Sequence, residues 1–171
     1  LFSLMCFHAS RFPARKGGSG EIILYADQDE HLWNFELITK GGHYLQQASK
    51  GNRISKYHLE AGIAYWHTIK ADTKEKWENI LQLYNHLLQL EYSPIAALNR
   101  TYALSKATGK QTAIIEAERL QLNDNHYYYA LLGDLYTGID NEKAKQNFQK
   151  AISLAKTRTD KQIISKKLDD F

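Results

Sequence analysis

Residues 129–136 read YALLGDLY, and this stretch decides the predicted fold. Its Leu132, Gly133 and Tyr136 lie 34 positions after a second set, Leu98, Asn99 and Tyr102. A period of 34 residues is typical of repeated helical hairpins, in which each unit buries its apolar face against the next one. Such arrays present extended binding surfaces. The repeat therefore favours an interaction module over a catalyst.

The same offset continues into the following helix, where apolar and small residues recur in pairs: Ile114 and Phe148, Ala117 and Ala151, Leu120 and Leu154. A tetratricopeptide hairpin needs a small residue where its two helices approach closely and a bulky residue one turn later. Gly133 and Tyr136 have these sizes, and the second helix supplies Ala144, Phe148 and Ala151. The last hairpin is thus a good match to this type of repeat.

The preceding hairpin is degenerate, because Asn99 replaces the glycine and Lys110 stands where alanine is expected. Any antiparallel helical bundle also places small and aromatic residues at helical spacing, so an ordinary bundle is the alternative interpretation. Proline in a first helical turn costs no hydrogen bond, and Ser93-Pro94 marks the start of the first hairpin. We predict helices over 94–107, 111–121, 125–137 and 141–156, with a terminal helix within 161–171.

Upstream, the periodicity predicts further helices and one short extended segment. A helix over Phe2–Phe12 ends at Pro13, and Glu21–Tyr25 is too short for a helix and is expected to be extended and buried. A later helix is predicted to bury Leu32, Trp33, Leu37 and Ile38. Two more are predicted, one from about Ser55 and one that carries Trp77 and is capped by Asp72 or Thr73. We therefore predict an all-α protein, with an N-terminal helical part and Gly-rich loop over 1–53 and tetratricopeptide-like hairpins with a capping helix over 54–171.

Charge and composition exclude several classes of protein. The net charge of +3 is far below the basic excess of a nucleic-acid reader, so we expect no DNA binding by this chain itself. No run approaches the roughly 20 apolar residues that span a bilayer, so we expect no membrane partner. Cys6 is the single cysteine, which excludes an internal disulfide and fits a reducing cytoplasm.

Several separated motifs in the N-terminal third occur in a fixed order. They are Leu4-Met5-Cys6-Phe7-His8-Ala9-Ser10-Arg11-Phe12-Pro13-Ala14-Arg15, then Gly20-Glu21-Ile22-Ile23-Leu24, then Asp27-Gln28-Asp29 and Trp33. This series resembles the C-terminal extension of a group of extracytoplasmic-function RNA polymerase sigma factors. The resemblance continues through Ser93-Pro94 and Leu98-Asn99-Arg100 into the hairpins. One departure is Glu30-His31, where the family tends to have Arg and Ser.

The resemblance implies a regulatory or interaction domain of a bacterial transcription initiation factor. Its promoter-binding and polymerase-binding domains are expected to precede Leu1, so that DNA is contacted through those domains alone. The implied partners are proteins: the factor's own N-terminal domains, RNA polymerase or a regulator. No cofactor and no metal are implied.

The motif residues His8, Arg11, Arg15, Asp27, Gln28, Asp29 and Trp33 are the candidate structural or interface residues. A guanidinium presents a fork of donors that a carboxylate accepts. We therefore expect Arg11 and Arg15 to pair with Asp27 and Asp29 and to hold the Gly-rich loop against the first helix. The functional alternative is that this group contacts a neighbouring domain or partner protein. Trp33 is expected in the core.

A second candidate surface lies in the hairpins. Three consecutive tyrosines, residues 127–129, cannot all face the core of one helix. Helical repeats bind partners in a concave groove, and we predict that Asn99, Arg100, Tyr127 or Tyr128 lines such a groove.

The expected function is regulation of a sigma factor through protein contacts, without catalysis. One alternative is a stand-alone tetratricopeptide-like adaptor that binds a peptide or protein. Another is a hydrolase or metal enzyme that uses His8 with the Asp27–Asp29 group. The sequence offers His8 no second ligand at metal-binding spacing, so the non-catalytic interpretation is favoured.

Overall fold

The structure is a computed structural model that describes residues 1–17, 22–51, 53–169 and 171. Within these residues the chain is all-α, as predicted, and no strand is present. The helices are α1 (Phe2–Ser10), α2 (Phe35–Ala48), α3 (Lys56–Trp66), α4 (Lys74–Leu90), α5 (Pro94–Thr108), α6 (Lys110–Leu120), α7 (His126–Tyr136), α8 (Asn141–Leu154) and α9 (Arg158–Asp169). Part of the predicted Gly-rich loop, Gly18-Ser19-Gly20, lies outside the described residues, as do Glu21 of the predicted extended segment and Asn52.

The chain forms two compact units, Leu1–Glu91 and Tyr92–Phe171. The sequence analysis placed a domain boundary after residue 53 instead. Helices α2 and α3 lie on either side of that position, and both pack against α1 in the first unit. The shared contact with α1 is the physical reason why the chain does not divide there.

The core of the first unit forms around Phe7 of α1, which is 1% exposed. Its ring packs with Ala61 and Ala64 of α3, and partly buried Leu4, Ile38 and Leu45 surround them. Gly41 of α2 allows the close approach, because a Cβ atom there would lie 2.8 Å from the Phe7 ring. The Ser3 hydroxyl donates to the Gly41 carbonyl at 2.7 Å. Helices α3 and α4 then pack as a pair.

The segment that joins α1 to α2 differs from the prediction in two ways. Ile22 makes a single antiparallel bridge with Lys16, and Leu24 has extended backbone angles, but both side chains are exposed. The expectation of burial is therefore wrong for these two residues. Trp33 is buried as predicted, yet it precedes α2 instead of lying within it, and Leu32 is 52% exposed. The Asn34 side chain starts the helix by accepting the Leu37 amide.

In the second unit, helices α5 and α6 form one pair and α7 and α8 another, with α9 packed on α8. Their bounds agree closely with the predicted spans. The Ser93 side chain accepts the Ala96 amide ahead of Pro94, as the sequence predicted. Only Gly109, with a φ of 103°, separates α5 from α6. That left-handed region favours glycine.

The spacing of the first helices differs from the predicted register. They start at Pro94, His126 and Arg158, so 32 residues separate each start from the next. Leu98 and Leu132 are both buried, but Asn99 and Tyr102 are exposed whereas Gly133 and Tyr136 are buried. Buried Thr101 and Leu104 match that pattern 32 residues earlier. The prediction that Asn99 corresponds to Gly133 and Tyr102 to Tyr136 is therefore wrong, because the two members of each pair differ in burial.

The second helices retain the predicted pairs. Ile114 and Phe148 are both buried, and so are Ala117 and Ala151. The two hairpins differ in helix length as well as in turn length: α5 has 15 residues and is followed by a one-residue turn, whereas α7 has 11 residues and residues 137–140 join it to α8. Gly133 packs on Phe148 so closely that a Cβ atom would lie 2.5 Å from the ring.

Two neighbouring glycines of α2 give a test of the core around Phe7. We expect Gly41→Ala to lower the free energy of unfolding by about 1–3 kcal/mol, since the buried Phe7 ring must move. Gly42→Ala is the matched control, because nothing lies within 4 Å of its added Cβ. It should raise stability by about 0.5–1 kcal/mol through lower backbone entropy in the unfolded chain. Urea unfolding followed by circular dichroism measures both, and equal effects would contradict the packing described.

Candidate functional site

Three of the sequence-predicted motif residues meet in the first unit around the guanidinium of Arg11. This group lies 4.6 Å from the centre of the Tyr25 ring and 5.3 Å from that of Trp33. Its Nε and Nη2 atoms donate to Oε1 of Gln28 at 3.2 and 2.9 Å. A guanidinium can stack on rings and still donate in its plane. Arg11 therefore joins α1 to the connecting segment, which we define as residues 22–33.

Gln28 is the buried polar residue of this segment, with 6% exposure. Its Oε1 accepts from Arg11, and its Nε2 donates to the Ile23 carbonyl at 3.3 Å. A buried amide costs free energy unless it is hydrogen-bonded. Pairing with Arg11 meets that need for the oxygen, and it also satisfies the half-buried guanidinium.

Two lysines also bind this segment. Nζ of Lys70 donates to the carbonyls of Tyr25, Ala26 and Gln28 at 3.0, 2.8 and 2.7 Å. Lys76, the second residue after the Lys74 start of α4, is 1% exposed. Its Nζ donates to the Tyr25 hydroxyl at 2.8 Å and to the Ile69 carbonyl at 2.5 Å. The connecting segment is thus held largely by cations that bind backbone carbonyls and one tyrosine.

His67 completes the group and stays neutral over most of the physiological pH range. Its ring lies edge-on to Tyr25 at 5.3 Å and to Trp77 at 5.9 Å. Burial, followed by the charges of Lys76, Arg11 and His8, lowers the pKa of His67 to about 4. We call Arg11, Tyr25, Gln28, Trp33, His67, Lys70 and Lys76 the Tyr25 cluster.

The predicted pairs of Arg11 and Arg15 with Asp27 and Asp29 do not form among the described residues. Arg11 binds Gln28 instead, and Nη2 of Arg15 lies 3.3 Å from Nδ1 of His8. Asp27 is exposed, and the exposed Asp29 accepts the His31 amide at 2.9 Å to start a short 3₁₀ turn. The reason is geometric: the buried amide of Gln28, one residue from each aspartate, points inward while both carboxylates stay in water.

His8 is exposed and lies outside the cluster. Partial burial and the neighbouring Arg15 and Arg11 lower the pKa of His8. Within the described residues, no group of three His, Cys, Asp or Glu side chains is placed to hold a metal ion. Among the same residues, none of the helices combines the length and the apolar composition that a bilayer crossing requires.

The sequence did not predict four members of the site: Tyr25, His67, Lys70 and Lys76. Tyr25 was assigned only to an apolar run, and the two lysines lie more than forty residues further along the chain. Lys76 did carry a signal, because it precedes Trp77 at the start of the most strongly periodic helix. A charged residue beside a core tryptophan is nevertheless common on helices that face solvent. The burial of the Lys76 ammonium could therefore be established only from the structure.

The second candidate surface is only partly exposed. Asn99 and Tyr127 are exposed, whereas Tyr128 is 5% exposed and belongs to the core of the second unit. Arg100 is partly buried, with Nη1 3.9 Å from the Glu116 carboxylate. Of the four residues predicted for a groove, Asn99 and Tyr127 are those with side chains available to a partner.

The first unit also carries an exposed apolar groove where α1, α2 and α3 meet. Its lining includes Phe2, Tyr44 and Tyr57. Phe2 is 69% exposed, and its ring lies 6.0 Å from that of Tyr44. Exposed apolar patches of this kind are typical of interaction surfaces.

Comparisons with known proteins cover different parts of the chain. Residues 1–49, which include α1, the connecting segment and α2, match a family described as a family of unknown function, DUF6596. An uncharacterized protein of Rhizobium meliloti (strain 1021) is 33% identical over 174 residues, which cover 99% of this chain. The match covers 41% of that relative, so the chain spans about two fifths of its length. No solved structure matches the chain.

Replacing Arg11 tests the arrangement around its guanidinium. We expect Arg11→Lys to lower the free energy of unfolding by about 1–2 kcal/mol, because an ammonium lacks the planar fork that binds Gln28 and stacks on two rings. Arg15→Lys is the matched control four residues later, and it should change stability by less than about 0.5 kcal/mol. Chemical unfolding of both variants gives the comparison. A larger loss for Arg15→Lys would refute the assignment.

The pH dependence of stability tests His67. Its pKa of about 4 in the folded protein is below the ordinary value of 6.5, so between these values the unfolded chain binds a proton that the folded chain does not. Stability is therefore retained above pH 6.5 and is lost as the pH falls towards 4, by up to about 1.4 kcal/mol per pH unit. The measurement is the free energy of unfolding at pH 7.5 and at pH 5. The wild type should lose stability at pH 5, and so should His86→Gln, in which an exposed histidine is replaced as a control. The loss should be smaller for His67→Gln.

Proposed function

We propose that this chain is the non-catalytic C-terminal regulatory domain of a bacterial extracytoplasmic-function RNA polymerase sigma factor. The observation that carries the proposal is the convergence of Arg11, Gln28 and Trp33. Arg11 belongs to the first motif of the sigma-factor resemblance, whereas Gln28 and Trp33 belong to the last one, and all three lie together in the Tyr25 cluster. Motifs that are far apart in sequence but share one structural purpose are unlike a chance match.

The Tyr25 cluster offers no obvious place for chemistry. Arg11, Lys70 and Lys76 donate to groups of the chain itself. We infer that the cluster shapes the first unit so that its surface, including the groove near Phe2 and Tyr44, is presented to a protein. In this proposal the cytoplasmic partner is the factor's own N-terminal domains, RNA polymerase or a regulator.

The second unit would act as a binding surface of degenerate tetratricopeptide type. Its paired helices and the glycine of α7 packed on Phe148 support this assignment, and the 32-residue spacing of the first helices, which differs from the typical 34, is part of what makes the repeat degenerate. On such a scaffold the exposed residues of the first helices face the groove, which makes Asn99 and Tyr127 the candidates for contact.

A stand-alone adaptor is the second candidate function, since helical pairs and an exposed apolar groove suit any protein partner. The two proposals differ in the identity of the partner. Only the sigma-factor proposal requires binding to sigma domains or to polymerase.

A binding experiment tests the proposal. The whole chain, tagged and immobilised, is presented with the promoter-binding and polymerase-binding domains of a sigma factor of this group, and separately with core polymerase. We expect at least one of them to bind at micromolar concentration or below. Binding to neither, with the chain folded by circular dichroism, would count against the sigma-factor proposal and favour the adaptor.

A pair of variants locates the contact in the second unit. We expect Tyr127→Ala to weaken that binding by about tenfold or more, because exposed tyrosines often anchor protein interfaces. Ile115→Ala is the control: Ile115 is 54% exposed, close to the 50% of Tyr127, but lies on the second helix of its pair. Equal affinities for both variants would place the contact elsewhere.

A further inference from the structure

The net charge of the chain resides entirely in its second unit. Residues 1–91 contain ten Lys and Arg and ten Asp and Glu, whereas residues 92–171 contain twelve and nine, which gives the net +3. The excess is concentrated towards the end of this unit. From Lys143 onward, eight basic residues face three acidic ones.

Helix α9 divides its residues sharply between two faces. On the inner face, Ile164 is 4% exposed and Nζ of Lys167 donates to Oδ1 of Asp134 in α7 at 2.7 Å. Phe171, just beyond the helix, has its ring 6.0 Å from that of Phe148. These contacts fix the orientation of α9 on the preceding helical pair.

The outward face of α9 carries Arg158, Lys161 and Lys166, and all three are exposed. Their helical positions fall within one half of the helix circumference, and Lys161 lies at the edge of that half nearest to Ile164. Lys156, just before the helix, is also exposed. We call these four residues the basic face.

The basic face keeps a net positive charge within the described residues. No ion pair forms between its members and an acidic side chain there, whereas Lys167 on the inner face is paired with Asp134. Asp160 is engaged by the Thr157 hydroxyl at 2.5 Å. Asp169 is the one acidic residue among the described outward positions of α9.

Two residues of the basic face oppose the field of their own helix, whereas Lys166 lies in the last turn, where the dipole favours a cation. The N-terminus of a helix bears a partial positive charge, so cations in the first turn are unfavourable there. Arg158 and Lys161 occupy that turn. Their charges and the helix dipole add, and the resulting positive potential attracts an anionic group.

The size and composition of the face favour a protein over other anionic partners. Arg158 to Lys166 spans about 12 Å of helix at 1.5 Å per residue, which is short for tracking a nucleic-acid backbone. The exposed outward positions include no aromatic ring for stacking on bases. They also include no large apolar side chain, which insertion into a bilayer surface requires. A short run of carboxylates matches the face in charge and in length.

We propose that the basic face of α9 is a docking site for an acidic segment of a partner protein. The proposal rests on the proposed function in so far as the partner is a protein, and it adds the chemistry of the contact. Carboxylates of the partner pair with Lys161 and Lys166 in the centre and at the end of the face. Arg158 and Lys156 extend the contact beyond the start of the helix.

The test uses the whole chain and a labelled 12-residue peptide rich in glutamate, with fluorescence anisotropy as the readout. We expect binding that weakens as salt rises, because exposed charges are screened. The double variant Lys161→Glu/Lys166→Glu should weaken binding at least about fivefold, since exposed ion pairs are each worth up to about a fivefold change in affinity. Lys161→Arg/Lys166→Arg should retain binding.

A matched control separates position from total charge. Lys40→Glu/Lys50→Glu makes the same change in net charge at exposed positions of the first unit and should leave peptide binding unchanged. Thermal unfolding checks that each variant is folded. Equal weakening by both glutamate variants, or no peptide binding by the wild type, would overturn the proposal.

Two further arms distinguish other anions and the proposed function. The same chain is also tested with a 12-nucleotide single strand and with anionic phosphatidylserine vesicles. If either binds more tightly than the peptide, the choice of a protein partner is overturned. If the chain binds sigma domains or polymerase and the Lys161→Glu/Lys166→Glu variant binds them equally well, the docking site is refuted but the proposed function is not. Peptide binding without any binding to sigma domains or polymerase would support the docking site and count against the proposed function.

Discussion

The first unit depends on how three cations hold the segment between α1 and α2. Only Gln28 and Trp33 of residues 22–33 are buried, so burial of apolar side chains contributes little to the conformation of this segment. Lys70 instead donates to three of its carbonyls, and Arg11 binds its central amide. Hydrogen bonds with one charged partner are stronger than neutral ones. A connection without regular structure thereby obtains a defined conformation.

The chemistry of Tyr25 explains why these cations can lie so close together. Nζ of Lys70 and of Lys76 lie 5.3 and 5.0 Å from the centre of its ring, and the guanidinium of Arg11 lies 4.6 Å from it. The electron-rich face of an aromatic ring attracts cations, and the surrounding carbonyls supply further partial negative charge. His67 stays neutral beside them, which avoids adding a fourth positive charge. The ring and the carbonyls together offset much of the mutual repulsion.

Sequence patterns predicted the helices well because their signals are local. The helix start at Ser93-Pro94 and the apolar periodicity of α4 each depend on residues that are only a few positions apart. The repeat register was less secure, because it depends on turn length as well as on residue type. Helix α5 has 15 residues and α7 has 11, and the turns that follow them also differ in length, so the buried positions of the two hairpins do not keep one offset. Residue size alone could not reveal that difference.

Only some residues of the candidate site could be predicted from the sequence, because their partners are not marked by complementary charges. The motifs identified Arg11, Gln28 and Trp33, but charge complementarity suggested aspartates as the partners of Arg11. The structure uses a buried amide instead, because an aspartate in that place would have to give up its hydration. Lys70 and Lys76 were beyond sequence reasoning, since their acceptors are backbone carbonyls, which every residue carries and no side-chain pattern marks.

Positive charges have two different roles in this chain, and the contrast between the Tyr25 cluster and the basic face bears on function. In the first unit Arg11, Lys70 and Lys76 donate to groups that the chain itself provides, so their charge serves folding. On the outward face of α9 the cations meet water, and two of them lie where the helix dipole disfavours them. A charge that stabilises nothing within its own unit lowers stability slightly and raises the potential outside. Such a surface is better suited to attracting an anionic partner than to stabilising the fold. We therefore assign the contact with a partner to the basic face of the second unit and the structural role to the Tyr25 cluster.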